Sequence, residues 1–328
     1  MLIKMQTDLE RISEFDPGMW DILRNKKIFA TGCTGFIGTW FIYSFVYINR
    51  KYQLGAELYC LTRNKDKNEK KFPDIKFIEG DIQSFTFPPG FFDFVIHGAI
   101  EVPQQGFASS DLVKMSTVGT ERVIDFSRKA EVKKILYLSS GAAYGKQPND
   151  LLLLDENYSG SEKTAYGEAK RIGEDLFFNQ DIAVTSARIF TVCGPYLTFD
   201  TNYAFFNFME AIILNRNITI SSNGKTIRSY LYVGDVVLWL WLLLLKGKNK
   251  EIYNVGSSEE ISVLALAKKM LSTLGKDNKI EILGKESEFS RYVPSNNKIR
   301  DEFHIKELVP LDLGIKKSFE YLKGCYGV

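Results

Sequence analysis

Segment 28–38, with the sequence IFATGCTGFIG, constrains the fold of this chain most. A β-prone run enters a turn punctuated by Gly32, Gly35 and Gly38, and a helical stretch follows. Gly32 permits a tight turn, Gly35 lets the backbone approach a pyrophosphate, and Gly38 lets the helix pack closely on the strand. The N-terminus of a helix also favours phosphate charge. The segment therefore predicts a dinucleotide-binding turn between a strand and a helix.

From residue 27 onward, short β-prone runs alternate with longer amphipathic stretches. This alternation is typical of an α/β fold with a doubly wound parallel sheet, the Rossmann architecture, covered by helices on both faces. After Pro195 the rhythm changes, which predicts a smaller mixed α/β substrate-binding region. The predicted strands are 27–31, 57–62, 76–79, 92–97, 134–139, 183–189 and 252–255, and the main predicted helices are 35–49, 111–129 and 165–178.

The same pattern predicts how the chain is divided. The first residues precede the alternating pattern and form an extension, and the charged run 64–71 is interpreted as a solvated loop. The predicted regions are an N-terminal extension at 1–25, a dinucleotide-binding domain at 26–195 and 229–256, and a substrate-binding region at 196–228 and 257–328.

Composition excludes several classes of function. With 42 basic and 40 acidic residues, the net charge of +2 predicts no nucleic-acid or anionic-membrane partner. The most apolar stretch, 236–245, is about half as long as a bilayer-spanning helix, so it predicts a buried helix and no membrane role. Four scattered cysteines indicate a reducing, cytoplasmic location, and two histidines predict no metal site.

The end of the second predicted strand bears on which dinucleotide is bound. An acidic side chain there would accept hydrogen bonds from a free ribose 2′-hydroxyl. The chain instead has Thr62 and Arg63, and a guanidinium suits a 2′-phosphate. We therefore expect NADP as the cofactor, with NAD as the alternative if Arg63 makes no contact. Asp81, after the third strand, is a candidate partner for the adenine amino group or a simple turn carboxylate.

Three polar residues form a candidate proton-transfer site. Ser140 lies at the end of the fifth predicted strand, and Tyr166 and Lys170 are four residues apart on a predicted helix. That spacing places both side chains on one helix face. The ammonium group of Lys170 would favour the phenolate form of Tyr166, and Ser140 could share the proton of a substrate hydroxyl. This arrangement predicts interconversion of alcohols and ketones.

Taken together, these motifs resemble the extended short-chain dehydrogenase/reductases, a family of nucleotide-sugar epimerases, dehydratases and ketoreductases. The resemblance extends from Lys27 to about Leu308 and includes further matches at 97–99, 119–120, 188–195, 228–235 and 253–256. It implies that Ser140, Tyr166 and Lys170 are the catalytic triad and that Arg228 holds the diphosphate of a nucleotide-diphosphate sugar. It also implies a homodimer formed through helices 111–129 and 165–178.

The predicted binding residues fall into two sets. Arg291 is a second candidate for the substrate diphosphate, beside Arg228. The predicted cofactor-binding set is Gly32, Thr34, Gly35, Phe36, Ile37, Gly38, Arg63, Asp81, Ile82, Gly98, Ala99, Tyr166 and Lys170, and the predicted substrate-binding set is Gly141, Thr191, Arg228 and Arg291.

One departure from the family pattern narrows the predicted reaction. Similar 4,6-dehydratases have an Asp-Glu pair where this chain has Gly141 and Ala142, which cannot transfer protons. Elimination is disfavoured unless another carboxylate such as Glu101 substitutes. We therefore expect a 4-ketosugar reductase. The alternatives are a 4-epimerase that recycles NAD, then a 4,6-dehydratase, and, from a different class, a non-catalytic dinucleotide sensor.

Overall fold

The computed structural model describes residues 5–99, 109–161, 163–196, 203–284 and 289–327. The α-helices are α1 (Gln6–Glu14), α2 (Phe36–Lys51), α3 (Lys65–Lys71), α4 (Ser109–Lys129), α5 (Ala165–Phe178), α6 (Ala204–Ile213), α7 (Val233–Lys246), α8 (Val263–Leu274), α9 (Asn297–Phe303) and α10 (Leu311–Tyr326), with 3-10 helices at Pro17–Leu23 and Gly141–Tyr144. The strands are β1 (Lys27–Thr31), β2 (Glu57–Thr62), β3 (Lys76–Glu79), β4 (Phe94–His97), β5 (Lys134–Ser140), β6 (Ala183–Ile189), β7 (Val192–Cys193), β8 (Ile218–Ile220), β9 (Ile227–Arg228), β10 (Leu231–Tyr232), β11 (Glu251–Val255), β12 (Ile261–Ser262), β13 (Ile280–Ile282) and β14 (Arg291–Tyr292).

A seven-stranded sheet with the order β11-β6-β5-β4-β1-β2-β3 forms the centre of the fold. Neighbouring strands from β6 to β3 all pair in parallel. Strand order reverses between β1 and β4, and ligands of such sheets bind at this switch point, beyond the carboxyl ends of the strands. The predicted doubly wound α/β fold is confirmed. Strands β1, β2, β3 and β6 have the predicted bounds, and β4, β5 and β11 differ from theirs by one or two residues.

The charged run 64–71 is not the predicted loop, because it contains helix α3. Asn64 caps this helix, since its side chain accepts a hydrogen bond of 3.1 Å from the backbone N–H of Lys67. Asp66 lies in the first turn and Lys71 in the last, which complements the helix dipole. Asn64 is a capping signal in the sequence, but the many charged residues that follow it are also typical of an exposed loop.

The chain divides into two compact units. The first comprises Met1–Gly145, Glu162–Ile189 and Val237–Tyr253, and the second comprises Lys146–Ser161, Phe190–Val236 and Asn254–Val328. Segment 146–161, which the sequence-based division left with the dinucleotide-binding domain, groups with the second unit. The binding role assigned to each predicted region remains a prediction.

The second unit contains three small sheets. Their strand orders are β10-β7, β12-β9-β14 and β13-β8. Helices α6, α8 and α10 pack on one another in this unit, and their buried faces carry apolar side chains such as Phe208, Leu266 and Ile315. This mixed α/β composition agrees with the smaller region expected after Pro195.

Within the first unit, the N-terminal extension covers two helices that would otherwise expose apolar surface. Trp241 of α7 is fully buried. It stacks on Phe41 of α2 with ring centroids 4.1 Å apart, and the ring of Trp20 meets it edge-on at 5.7 Å. The indole N–H of Trp20 donates to the carbonyl oxygen of Ser13 at 2.7 Å, which joins the 3-10 helix to the end of α1.

Helix α7 is buried on every side from Val237 to Leu244. An all-round apolar helix must be covered on all faces in a water-soluble fold, and α2 and the extension cover the face around Trp241. The predicted buried helix is therefore confirmed. No helix among the described residues is long and apolar enough to cross a membrane.

We expect Trp20→Ala to destabilise the protein by about 3–5 kcal/mol, because it leaves a cavity against Trp241. Ile22→Ala is the matched control, since Ile22 in the same 3-10 helix is 41% exposed, and it should change stability by less than about 0.5 kcal/mol. Urea unfolding followed by tryptophan fluorescence measures both. Equal, small effects of the two substitutions would show that the extension does not stabilise the first unit.

Candidate active site

Strands β1 and β4 come together closely at their carboxyl ends. Gly32 has φ +77°, and a Cβ atom there would lie 2.7 Å from the carbonyl carbon of Gly98 and 2.8 Å from the backbone nitrogen of Ala99. The hydroxyl oxygen of Thr31 accepts hydrogen bonds from the N–H groups of Gly98 and Ala99 at 3.2 and 3.1 Å. Only glycine at position 32 allows this approach, which joins the glycine turn to the end of β4.

His97 stabilises the same junction from the inside. Its Nδ1 lies 2.8 Å from Oγ1 of Thr31, and its Nε2 lies 3.3 Å from Oγ1 of Thr120 in α4. Burial, reinforced by the positive charge of Lys170, lowers the pKa of His97 to about 3. The imidazole is therefore neutral at physiological pH, and its role here is to hold backbone segments in place.

The start of α2 fits a pyrophosphate. Gly35 is the N-cap and provides no side-chain hydrogen bond to the first turn, so the N–H groups there suit an anion. A Cβ atom on Gly35 would meet only the carbonyl oxygen of Gly32, at 3.5 Å, among the described residues. A Cβ atom on Gly38 would lie 2.4 Å from that oxygen and 2.5 Å from Cα of Cys33. Gly38 is thus required for packing, whereas the space beside Gly35 is open for a ligand.

The other predicted cofactor contacts follow β2 and β3. Arg63 is exposed directly after β2. Asp81 follows β3, and its carboxylate accepts a hydrogen bond of 2.9 Å from the N–H of Gln83, as in a simple turn. Ile82 is only 8% exposed and packs in the core, where a Cβ atom on Gly119 of α4 would approach it at 3.1 Å. Binding of the cofactor by these residues remains a prediction.

Helix α5 carries both Tyr166 and Lys170. Thr164 caps it by accepting a 3.2 Å hydrogen bond from the N–H of Gly167. Tyr166 is 37% exposed, whereas Lys170 is 3% exposed. The ammonium nitrogen of Lys170 donates to the carbonyl oxygen of Leu138 in β5 at 2.7 Å and lies 5.9 Å from the ring centroid of Tyr166. An accessible phenol thus stands above a buried cation.

Ser140 is held close to this helix. It ends β5, and its hydroxyl oxygen accepts a 3.1 Å hydrogen bond from the N–H of Ala142 in the following 3-10 helix. A Cβ atom on Gly167 would lie 2.2 Å from the carbonyl oxygen of Ala142. Since only glycine tolerates that contact, the first turn of α5 packs directly on the segment that follows Ser140.

Burial lowers the pKa of Lys170 to about 8, and the negative charge of Glu174 partly offsets that shift. Lys170 is consequently still mainly protonated at neutral pH. An ammonium group near a phenol favours the phenolate, so Tyr166 is suited to exchange a proton with a bound substrate.

Glu174 is a further residue of this site, absent from the residues predicted from the sequence. This residue lies one turn beyond Lys170, is 1% exposed, and forms a double hydrogen bond with the buried guanidinium of Arg188 in β6. The sequence contained a signal, because Tyr166, Lys170 and Glu174 follow one another at intervals of four in one helix.

The second unit positions the predicted substrate residues. Arg228 of β9 is half-buried, and its guanidinium donates to the hydroxyl of Ser290 at 3.2 Å and to the carbonyl oxygen of Ile227 at 2.7 Å. Burial lowers its pKa, although it stays a cation. Arg291 of β14 is paired in register with Ile227, so it lies on the face of this sheet opposite to Arg228. Its guanidinium is bound to Glu260.

Thr191 and Gly141 complete the predicted substrate set. Thr191 directly precedes β7, and its carbonyl oxygen accepts a 3.0 Å hydrogen bond from the N–H of Leu231. Gly141 is buried at the start of the 3-10 helix after Ser140. Contact of either residue with a substrate remains a prediction.

Comparison with known proteins identifies the family. The model of the NAD dependent epimerase/dehydratase family matches residues 28–256. The chain belongs to this family, and it is an enzyme. Among curated relatives, the dTDP-D-glucose 4,6-dehydratase of Bos taurus is 27% identical over 326 residues, covering 91% of this chain and 89% of its own.

Solved structures of epimerases share the fold. The UDP-glucose 4-epimerase of Thermotoga maritima, determined with UDP-glucose, has a TM-score of 0.78 and 22% identity, covering 92% of this chain and 99% of its own. The UDP-glucuronic acid 4-epimerase of Bacillus cereus, determined with NAD, has a TM-score of 0.77 and 21% identity, covering 92% and 98%. The predicted family is confirmed, and the preference for NADP remains a prediction.

This family member lacks proton-transfer side chains directly after Ser140. Gly141 and Ala142 form the start of a 3-10 helix that α5 packs against. Glu101, the carboxylate that could substitute, lies outside the described residues. Among the described residues, no group of three or more His, Cys, Asp or Glu side chains could hold a metal ion.

The two glycines of the turn should behave differently when each is replaced by alanine. We expect Gly35→Ala to keep the wild-type melting temperature but to weaken dinucleotide binding by about tenfold or more, because the added methyl occupies ligand space. Gly38→Ala should instead lower stability by about 1–3 kcal/mol through its clash with the turn. Calorimetry and fluorescence titration with NADPH and NADH measure the two effects. Unaltered binding by Gly35→Ala would contradict this assignment.

Proposed function

We propose that the protein is an NADPH-dependent reductase of a nucleotide-diphosphate-linked 4-ketosugar. The observation that carries the proposal is the pairing of an accessible phenol, Tyr166, with the buried ammonium of Lys170. The names of the relatives support a substrate of this class, because they are enzymes of dTDP- and UDP-linked sugars.

The residues of the chain divide the work of ketone reduction. When bound, the nicotinamide supplies the hydride that goes to the carbonyl carbon. Tyr166 donates the proton that the ketone oxygen requires, and Ser140 donates a hydrogen bond to the same oxygen. Lys170 stabilises the phenolate that Tyr166 becomes after donation, because its ammonium is held in place by the carbonyl oxygen of Leu138.

Two features support reduction over elimination of water. Elimination needs an acid and a base beside the sugar, and Gly141 and Ala142 provide neither. Gly141 has no side chain and Ala142 has only a methyl group, and the carbonyl oxygen of Ala142 packs against Gly167. Dehydratase activity is therefore the less favoured candidate, in spite of the named dehydratase relatives.

Arg228 supports a diphosphate in the substrate. Its guanidinium is half-buried and oriented by Ser290, and its hydrogen-bond acceptors among the described residues are oxygens of Ser290 and Ile227, none of them a carboxylate. A fixed, partly desolvated guanidinium binds a diphosphate more strongly than a mobile surface arginine does. Arg291 is the weaker candidate, because Glu260 already neutralises it.

The cofactor preference can be tested at Arg63. A charge-assisted hydrogen bond to a 2′-phosphate contributes about 1.5–3 kcal/mol, so we expect the protein to bind NADPH about 10–100 times more tightly than NADH. Arg63→Ala should remove that preference without weakening NADH binding, whereas Lys65→Ala, in the same segment, should preserve it. Fluorescence titration of the wild type and the two variants with NADPH and NADH gives the six affinities. A wild-type preference for NADH would overturn the assignment of NADPH.

A 4-epimerase that recycles NAD is the second candidate. It is favoured by the match to a family described as NAD dependent and by the epimerase structures that share the fold. Mass spectrometry of the denatured protein separates the two candidates. Near-stoichiometric retained NAD would support an epimerase and refute the reductase, whereas an empty site and net consumption of NADPH would support the reductase.

Tyr166→Phe should lower the rate of ketone reduction by about 10²–10⁴-fold, because the substitution removes the proton donor. The Kd for NADPH should stay close to that of the wild type. Tyr203→Phe is the matched control, since Tyr203 is also an exposed tyrosine next to a helix start. The measurement is NADPH oxidation with a nucleotide-linked 4-keto-6-deoxysugar as the probe. A Tyr166→Phe variant with full activity would exclude the phenol as the acid.

A further inference from the structure

We propose that Glu174 is a positioning residue of the proton-transfer site, and that its buried carboxylate is the counter-ion which keeps the ammonium group of Lys170 charged beneath Tyr166. The proposal rests on the proposed function for its meaning, since it explains how Lys170 can support Tyr166. Three independent observations carry it: the line of side chains along α5, the clamp on Glu174, and the balance of buried charge.

Helix α5 leads from solvent into the core along one face. Tyr166, Lys170 and Glu174 are spaced by four residues, so their side chains follow one another along the helix. Their exposed fractions are 37%, 3% and 1%. The phenol is therefore accessible to a substrate, and the two charged groups below it are shielded from water.

The carboxylate of Glu174 is held in one position. Its Oε1 accepts hydrogen bonds from Nε of Arg188 at 2.9 Å and from the hydroxyl of Ser186 at 3.0 Å, and its Oε2 accepts one from Nη2 of Arg188 at 2.6 Å. The guanidinium of Arg188 also lies 4.1 Å from the ring centroid of Tyr144. A carboxylate fixed by bidentate and hydroxyl donors cannot turn away from its neighbours.

The groups that face Glu174 come from each element packed around it. Strand β6 contributes Ser186 and Arg188. Helix α5 itself contributes Arg171, whose Nη1 is 3.8 Å from Oε2, and Lys170, one turn earlier, whose pKa the charge of Glu174 raises. Strand β5 contributes Tyr137, which burial and the charge of Glu174 keep protonated by raising its pKa. Glu174 is the acidic member of this set.

Removal of the carboxylate would leave two buried cations, Lys170 and Arg188. The guanidinium of Arg188 cannot release its proton at ordinary pH, so Lys170 would be the group that loses a proton. Burial already lowers the pKa of Lys170 to about 8, and Glu174 opposes that shift. A neutral amine beneath Tyr166 would no longer favour the phenolate. Under this proposal, Glu174 keeps the side chain of Lys170 protonated.

A purely structural role makes a different prediction. If Glu174 only holds α5 to β6, its loss weakens the fold without altering the titration of Lys170. Removal of both members of the ion pair, by Glu174→Gln with Arg188→Met, should then restore normal stability, because Arg188 no longer leaves an unpaired charge in the core. Under our proposal the double variant still lacks the counter-ion, so Lys170 still titrates abnormally.

Nuclear magnetic resonance of lysine labelled with ¹³C at Cε tests the proposal without any substrate. The Lys170 signal, assigned by its loss in Lys170→Arg, should titrate near pH 8 in the wild-type protein and lower by about one unit or more in Glu174→Gln. Lys134 is an internal reference, because burial also lowers its pKa to about 8 and its ammonium bonds to the carbonyl oxygen of Gly247. Asp175→Asn, at an adjacent exposed carboxylate of α5, is the matched control.

We expect a lowered Lys170 midpoint in Glu174→Gln and in the double variant, with Lys134 unchanged in both and Lys170 unchanged in Asp175→Asn. An unchanged midpoint in a folded Glu174→Gln protein would overturn the proposal. If that single variant does not fold, an unchanged Lys170 midpoint in the double variant would overturn the proposal instead. In Glu174→Asp, the Lys170 midpoint should stay close to the wild-type value. A failure of the reductase assays would leave these titrations unaffected, so the two proposals can fail separately.

Discussion

The packing of α5 on β5 and on the 3-10 helix that follows it is the constraint on which the proposed proton-transfer site depends. A Cβ atom on Gly167 would lie 2.2 Å from the carbonyl oxygen of Ala142, and one on Gly173 would lie 2.2 Å from the hydroxyl of Tyr137. Because both positions are glycine, the helix can lie close enough to β5 for Lys170 to reach the carbonyl oxygen of Leu138. Larger side chains at either glycine would lift the helix, and Lys170 would lose the acceptor that fixes it.

Close packing also explains the electrostatics of the site. Water is excluded beneath Tyr166, so each buried group there has either a partner or a neutral form. His97 is neutral and bonds to two threonines, whereas Arg188 is charged and bonds to Glu174. Burial disfavours the charged guanidinium of Arg188, but its hydrogen bonds with Glu174 outweigh that effect and raise its pKa. The ammonium group of Lys170, bonded to the carbonyl oxygen of Leu138, is the cation that we propose supports Tyr166.

The sequence predicted the parts of this architecture that follow from local patterns. Glycine spacing located the turn after β1, and the interval of four residues placed Tyr166 and Lys170 on one face of α5. The bounds of β1 and α5 were correct, because glycines, charged turns and a threonine cap mark them clearly. Helix α3 was missed, since its capping residue, Asn64, stands at the start of a run of charges that resembles an exposed loop.

Relations that depend on distant segments were beyond local patterns. The pairing of Glu174 with Arg188 joins a helix to a strand, and no spacing within either element reveals it. The opposite faces of Arg228 and Arg291 follow from the register of β9 with β14, which composition does not encode. The sequence predicted Arg228 as the diphosphate residue and Arg291 as a second candidate. Register places the two on opposite faces, where Ser290 orients the guanidinium of Arg228 and Glu260 balances the charge of Arg291, so the proposed diphosphate contact is better matched to Arg228.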